Sequence, residues 1–90
     1  QMKYYVYVLK SQKLDKFYTG MTKDLVRRLK EHNSGKTKSN KAFIPWDIIY
    51  TEEFDSEEEA LKREKYLKSG SGREFLKTVK WIKSQAIKSL

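Results

Sequence analysis

Glu64 is the side chain in this sequence that its surroundings explain least. It lies four residues after Ala60, three after Leu61 and three before Leu67, inside the apolar stripe of a helix-period segment. A carboxylate there must be paired, lined by solvent or bound to a metal, because desolvating it alone costs several kcal/mol. The plainer reading is an ion pair with a lysine or arginine of the same domain. The chemical reading is a Mg²⁺ site, since that ion keeps several waters and takes one or two carboxylates plus a substrate phosphate. Mn²⁺ suits the same donors.

Four further residues have types and spacings suited to the same chemistry. Tyr7 and Tyr18 fall on two segments of strand character that should pair, and Gly20 follows Tyr18 by two. Singly, such tyrosines are packing residues. A glycine where a strand gives way to a helix either relieves a turn or lets a ligand approach the backbone. Arg28 and His32 are four apart, hence neighbours on one helix face that also carries Leu25 and Leu29. His32 alone would read as an interfacial histidine. Arg27 and Arg28 point about 100° apart, so only one can face inward. Arg28 is that one, because it shares the side of the leucines, and Arg27 is left to surface phosphate. Two tyrosines, an arginine, a histidine and a carboxylate are parts for metal-assisted phosphodiester hydrolysis.

The elements that must position these groups follow from pattern. Tyr4-Tyr5-Val6-Tyr7-Val8-Leu9 is apolar on both faces and predicts a central strand; Phe17-Tyr18-Thr19 predicts a second, joined to it as a hairpin. Thr22 is a plausible N-cap for a helix whose apolar side is Leu25, Leu29 and His32, widened by Val26 and ended by Asn33-Ser34-Gly35. A basic loop, 36–41, leads past Pro45 to a third strand, Trp46 to Phe54, with Ile48 and Tyr50 on one face and Ile49 and Thr51 on the other. Ser56 with Glu59 is a capping box for a second helix, whose apolar side is Ala60, Leu61 and Leu67. Ser69-Gly70-Ser71-Gly72 breaks it, and a third helix starts near Arg73, burying Phe75, Leu76, Val79, Ile82 and Ala86 to about residue 88. The break and Arg73 have the makings of a phosphate seat, or of a simple hinge. The expected fold is α+β, order ββαβαα: one three-stranded antiparallel sheet, flanked by helices, in a single domain over 1–90.

Composition narrows the partners. The 90 residues carry a formal charge of +8, and residues 1–45 hold 11 Lys and Arg against 3 Asp and Glu, whereas 46–90 hold 9 of each. The excess is densest from Lys30 to Lys41, which points to an anionic partner, nucleic acid above others, bound with little sequence dependence through Arg27, Lys30, Lys36, Lys38, Lys41 and Arg73. There is no cysteine, so disulfides and thiolate metal sites are excluded. No apolar run approaches the ~20 residues of a membrane span, and nothing resembles a signal peptide, which makes the cytoplasm the expected compartment. No obligate protein partner is evident.

Tyr5-Val6-Tyr7 followed by Tyr18-Thr19-Gly20 resembles the paired motifs of the GIY-YIG nuclease superfamily, in particular its small single-domain bacterial members. Arg28, ten residues after Tyr18, matches that family's invariant arginine, and His32 its frequent histidine or tyrosine one turn on. Glu31-His32-Asn33-Ser34-Gly35 and Pro45-Trp46-Asp47-Ile48-Ile49-Tyr50 are similar to the small members, and Glu64 in Glu59-Ala60-Leu61-Lys62-Arg63-Glu64 falls on the metal-binding glutamate. The likeness covers about residues 4–77. Tyr5 replaces the first motif's glycine, and 69–75 lacks an asparagine that many larger relatives use to close the site. Nor do the 90 residues accommodate the second DNA-binding domain of many family nucleases.

The resemblance implies a divalent-metal-dependent DNA endonuclease, structure-selective in repair or processing, acting in the cytoplasm beside the nucleoid. RNA is the other polymer with the same linkage. Glu64 would hold Mg²⁺ or Mn²⁺, Tyr18 would act as general base directly or through Tyr7 and His32, and Arg28 would stabilise the pentavalent phosphorane. The alternative from a different class is a nucleic-acid-binding protein that keeps the nuclease fold with little or no turnover.

Overall fold

A computed structural model of the chain describes residues 3–35 and 41–78. Its elements run β1 (Tyr4–Ser11), β2 (Phe17–Thr22), α1 (Leu25–Asn33), a short 3₁₀ turn (Lys41–Phe43), β3 (Trp46–Phe54) and α2 (Glu57–Lys68), followed by a helix α3 over 70–78. The strands form one antiparallel sheet in the order β2-β1-β3. The strand that is apolar on both faces is therefore the central one, and it buries two cores. Val6 and Val8 pack on one side against Ala60, Leu67 and Leu76 of α2 and α3. Tyr7 and Leu9 pack on the other with Trp46, Tyr18, Leu25 and Leu29, under α1.

Five local expectations are corrected. Asp24, not Thr22, caps α1, its carboxylate accepting the Arg27 N–H at 3.1 Å. Thr22 closes β2 instead, and its hydroxyl oxygen accepts the Asp24 N–H at 3.1 Å. Val26 and Leu61 lie in solvent, because in each helix the sheet covers a narrower stripe than hydropathy alone marks out. On β3, Ile49 and Tyr50 both face the α2–α3 core while Ile48 faces the other. The register slips between Val8 and Leu9, pairing Val8 with Tyr50 and Leu9 with Ile48, and this bulge interrupts the alternation.

The last correction concerns the break after α2, which is one residue long. Ser69 ends α2 by donating its backbone N–H to the Tyr66 carbonyl, and opens α3 by accepting the Gly72 N–H on its hydroxyl at 3.3 Å. Helix α3 thus starts at residue 70, and the Arg73 N–H is spent on the Ser69 carbonyl at 2.9 Å. A phosphate seat over 69–73 therefore cannot use the Arg73 amide. Gly72 makes the sharp turn possible: a Cβ would lie 2.1 Å from the Tyr66 carbonyl oxygen and 2.4 Å from the Leu67 Cα. Gly72→Ala must push α3 off α2, and a loss of about 2–3 kcal/mol in urea unfolding is expected. An unchanged midpoint would show that α3 docks without this contact. The predicted core positions Val79, Ile82 and Ala86 lie outside the described residues.

Two polar devices lock the remaining layers. Asn33, read from sequence only as a helix stop, donates to the Trp46 carbonyl at 3.2 Å and accepts the Trp46 N–H at 2.6 Å. It ties the end of α1 to the start of β3, and so sets the height at which Arg28 and His32 meet the sheet. Arg63 pairs with Glu52 at 2.8 Å and lies over the rings of Tyr66 and Phe75, joining α2, β3 and α3.

Candidate active site

Pairing of Tyr7 with Gly20 and of Leu9 with Tyr18 places both tyrosines on the α1 side of the sheet. Their rings stack at 6.2 Å between centroids, inclined 29°. Gly20 owes its identity to this. A Cβ there would sit 2.6 Å from the Tyr7 hydroxyl oxygen and 3.0 Å from the Tyr18 ring. Neither reading offered for that glycine from sequence holds: its φ is not positive, and the space over its backbone is filled by Tyr7.

Helix α1 brings Arg28 and His32 down onto the tyrosines. The Arg28 Nε–H donates to the Tyr7 hydroxyl oxygen at 3.1 Å, and Nη1 donates to Glu31 Oε1 at 3.1 Å. The same guanidinium interacts with the Tyr18 hydroxyl. His32 Nε2 pairs with the Tyr7 hydroxyl at 3.2 Å, and the imidazole lies 4.6 Å from the Tyr18 ring, between centroids. Arg27 points outward, with 76% of its side chain exposed, and touches Glu31 at 3.5 Å. The inward and outward assignments of the two arginines hold as read.

Burial sets the protonation states. Desolvation raises the Tyr7 pKa above the ordinary phenol value, opposed by the Arg28 hydrogen bond. Hydrogen bonding to Tyr7 and Glu31 keeps Arg28 firmly protonated. His32 is 2% exposed, and desolvation together with the Arg28 charge lowers its pKa. Its Nδ1 and the nearby Trp46 Nε1 have no partner among the described residues.

The lowered pKa of His32 has a stability consequence. Below the ordinary pKa of 6.5 the unfolded chain takes up a proton that the folded protein resists, so folding weakens as pH falls through that value. The loss approaches about 1.4 kcal/mol per pH unit until the folded pKa is reached. Urea unfolding between pH 7.5 and 5 should show this slope in the wild type and lose it in His32→Gln. Equal slopes would mean that His32 is not held neutral by the fold.

Glu64 lies on α2, which packs on β1 and β2 from the other face of the sheet, and its negative charge makes the smallest of the contributions to the upward shift of the Tyr7 pKa. Its side chain is 19% exposed and pairs with Lys68 at 2.6 Å. The ion pair expected from sequence therefore exists, with a lysine one turn along the same helix. Among the described residues no group of three or more His, Cys, Asp or Glu could hold a metal. A lone, partly exposed carboxylate fits a hard ion that keeps most of its waters, as Mg²⁺ and Mn²⁺ do.

Tyr18 is half-buried, as Arg28 is, and opens outward. It lines a cavity of about 670 Å³ between the edge strand β2 and helices α2 and α3, with Phe17, Leu67 and Leu76 and the cations Lys16, Lys68, Arg73 and Lys77. Of the predicted phosphate-contacting residues, Lys30 and Lys41 are exposed, Arg73 lies on this cavity, and Lys36 and Lys38 fall outside the described residues. Lys16, Lys68 and Lys77 were not singled out from sequence. Their mutual placement arises only when α3 folds back over β2, a contact that no local pattern announces.

Comparison with known proteins shows the family of the chain. The model of the GIY-YIG catalytic domain matches residues 3–78, and the chain belongs to the GIY-YIG family, a nuclease family whose substrates are nucleic acids. It is similar to small proteins called UPF0213. One, from Staphylococcus saprophyticus, is 40% identical over 78 residues, covering 86% of this chain and 94% of its own. Another, from Streptococcus agalactiae, is 37% identical over 82 residues, covering 90% and 92%. The solution structure of a UPF0213 protein from Bacillus halodurans superposes with a TM-score of 0.53 at 36% identity, covering 88% of this chain and 86% of that one. No helix among the described residues is long and apolar enough to cross a membrane.

Proposed function

We propose that this chain is a divalent-metal-dependent endonuclease that hydrolyses phosphodiester bonds in DNA, acting in the bacterial cytoplasm on processing or repair substrates. The observation that carries the reading is the single connected group of Tyr7, Tyr18, Arg28 and His32, with the charge of Glu64 felt at Tyr7. A packing role explains one buried tyrosine. It does not explain a fork of arginine and histidine converging on its hydroxyl while a second tyrosine opens to a cationic cavity.

Each side chain has a part in this reading. Glu64 would hold Mg²⁺ or Mn²⁺, which supplies Lewis-acid stabilisation of charge on the scissile phosphate and the leaving oxygen. Tyr18 faces the cavity and takes the proton of the attacking water. A neutral phenol can do so only by giving up its own proton, and Tyr7 with the neutral imidazole of His32 forms the relay behind it. Arg28 fixes the Tyr7 hydroxyl and offers its positive charge to the phosphorane. Lys30, Lys41 and Arg73 add sequence-independent phosphate contacts.

The test is single-turnover cleavage of duplex, single-stranded, flapped and branched DNA, with RNA as a comparison, with and without Mg²⁺ or Mn²⁺. Tyr18→Phe removes only a hydroxyl and should lower the rate by about 10²–10⁴ with an unchanged melting temperature. His32→Gln should cost about 10–100-fold, since water can bypass a relay. A full rate for Tyr18→Phe with His32→Gln inactive would transfer the role of base to the histidine. No metal-dependent cleavage of any substrate would leave the binding reading in its place.

A further inference from the structure

Lys68 stands one turn beyond Glu64 on α2, and its ammonium meets Glu64 Oε2 at 2.6 Å. The two ends of this pair are unequal: 19% of the Glu64 side chain is exposed, against 55% for Lys68. A carboxylate so withdrawn from water needs a counter-charge, and among the described residues Lys68 is the ion-pair partner that supplies it. The same lysine lines the cavity beside Tyr18, where Lys16, Arg73 and Lys77 are also found. Lysine is a compact charge on a flexible four-carbon stem, so its ammonium can exchange one anionic neighbour for another without any movement of the backbone.

We propose that Lys68 is a displaceable latch on Glu64. In the free protein its ammonium occupies the carboxylate that a divalent ion would use. When nucleic acid lies in the adjoining cavity, Lys68 moves to one of its phosphates, and Glu64 is left with an unneutralised charge that favours the metal. The proposal rests on the reading of Glu64 as the metal-holding residue. It makes metal and nucleic acid mutually supportive ligands, because whatever draws Lys68 away from Glu64 strengthens the binding of the other, and linkage requires the effect to be reciprocal.

Direct Mn²⁺ titration, followed by the electron paramagnetic resonance of the free ion, reads the first half without any turnover. Lys68→Met keeps the stem and removes the charge, and should bind Mn²⁺ about tenfold more tightly than the wild type. Lys68→Arg keeps a cation against Glu64 and should bind as the wild type does. Glu64→Gln should not bind. Equal or weaker binding by Lys68→Met overturns the latch. If the wild type and Lys68→Met both fail to bind Mn²⁺ at millimolar concentration, Glu64 is not a metal ligand and the latch falls with that reading, a result distinct from equal affinities. Fluorescence anisotropy with a short metal-free DNA duplex reads the second half. Lys68→Met should flatten the log–log salt slope by about one, as expected for one lost phosphate contact. An unchanged slope would mean that Lys68 is not handed to the nucleic acid.

Discussion

Glu64→Ala is expected to abolish metal-dependent cleavage, by about 10³-fold or more, while the protein stays folded and binds DNA at least as tightly as the wild type. Glu64 is a lone carboxylate, since the described residues contain no group of three or more His, Cys, Asp or Glu that could hold the ion in its place. Stability should change little, because the lost ion pair joins residues four apart on one helix and half of the Lys68 side chain is in solvent. Such pairs are worth roughly 0.3–0.5 kcal/mol, and removing a carboxylate from a partly desolvated site offsets part of that. The Tyr7 pKa should fall in this variant, since Glu64 is one of the charges raising it. Near-ultraviolet titration of the tyrosines measures that shift independently of catalysis. A variant that unfolds several kcal/mol more easily would instead identify Glu64 as an ordinary structural partner.

Arg28→Lys should be nearly as damaging, with a rate loss of about 10²–10³ despite the conserved charge. Arg28 uses Nε on Tyr7 and Nη1 on Glu31 at the same time, each at 3.1 Å. A lysine ammonium is a single point and cannot span both while also facing phosphate. The Tyr7 hydroxyl would lose its charged donor, and its pKa, already raised by burial, should rise further. That second readout separates loss of positioning from loss of fold, which circular dichroism would report. A fully active Arg28→Lys protein would show that charge alone suffices and that the fork is incidental.

Much of this architecture was legible because it depends on near neighbours. A strand apolar on both faces has to be central, and Tyr4–Ser11 is. A serine three residues before a glutamate caps a helix, and the Ser56 side chain accepts the Glu59 N–H. Arg28 and His32 share a face because 3.6 residues make a turn, and the leucines beside them settle which face is inward. The resemblance to the family motifs reached further, since it singles out residues whose contacts are not local along the chain.

Sequence alone thus determined the elements, their order, the central strand and the identities of the residues gathered near Tyr7. Tertiary structure decided everything that hangs on register and on the docking of one element against another. The bulge opposite Val8 and Leu9 turned Ile49 and Tyr50 to one side, because register is set by pairing along whole strands and not by the hydropathy of one. Gly20 and Gly72 are glycines because Tyr7 and the end of α2 occupy the places of their side chains, distances that exist only after folding. Asn33 holds Trp46 across a gap of 13 residues, and Lys68 shares its cavity with residues of β2 some fifty positions earlier. Periodicity could place Lys68 one turn from Glu64. It could not reveal that the same ammonium also borders the cavity beside Tyr18, because side-chain burial depends on what the rest of the chain brings to that face.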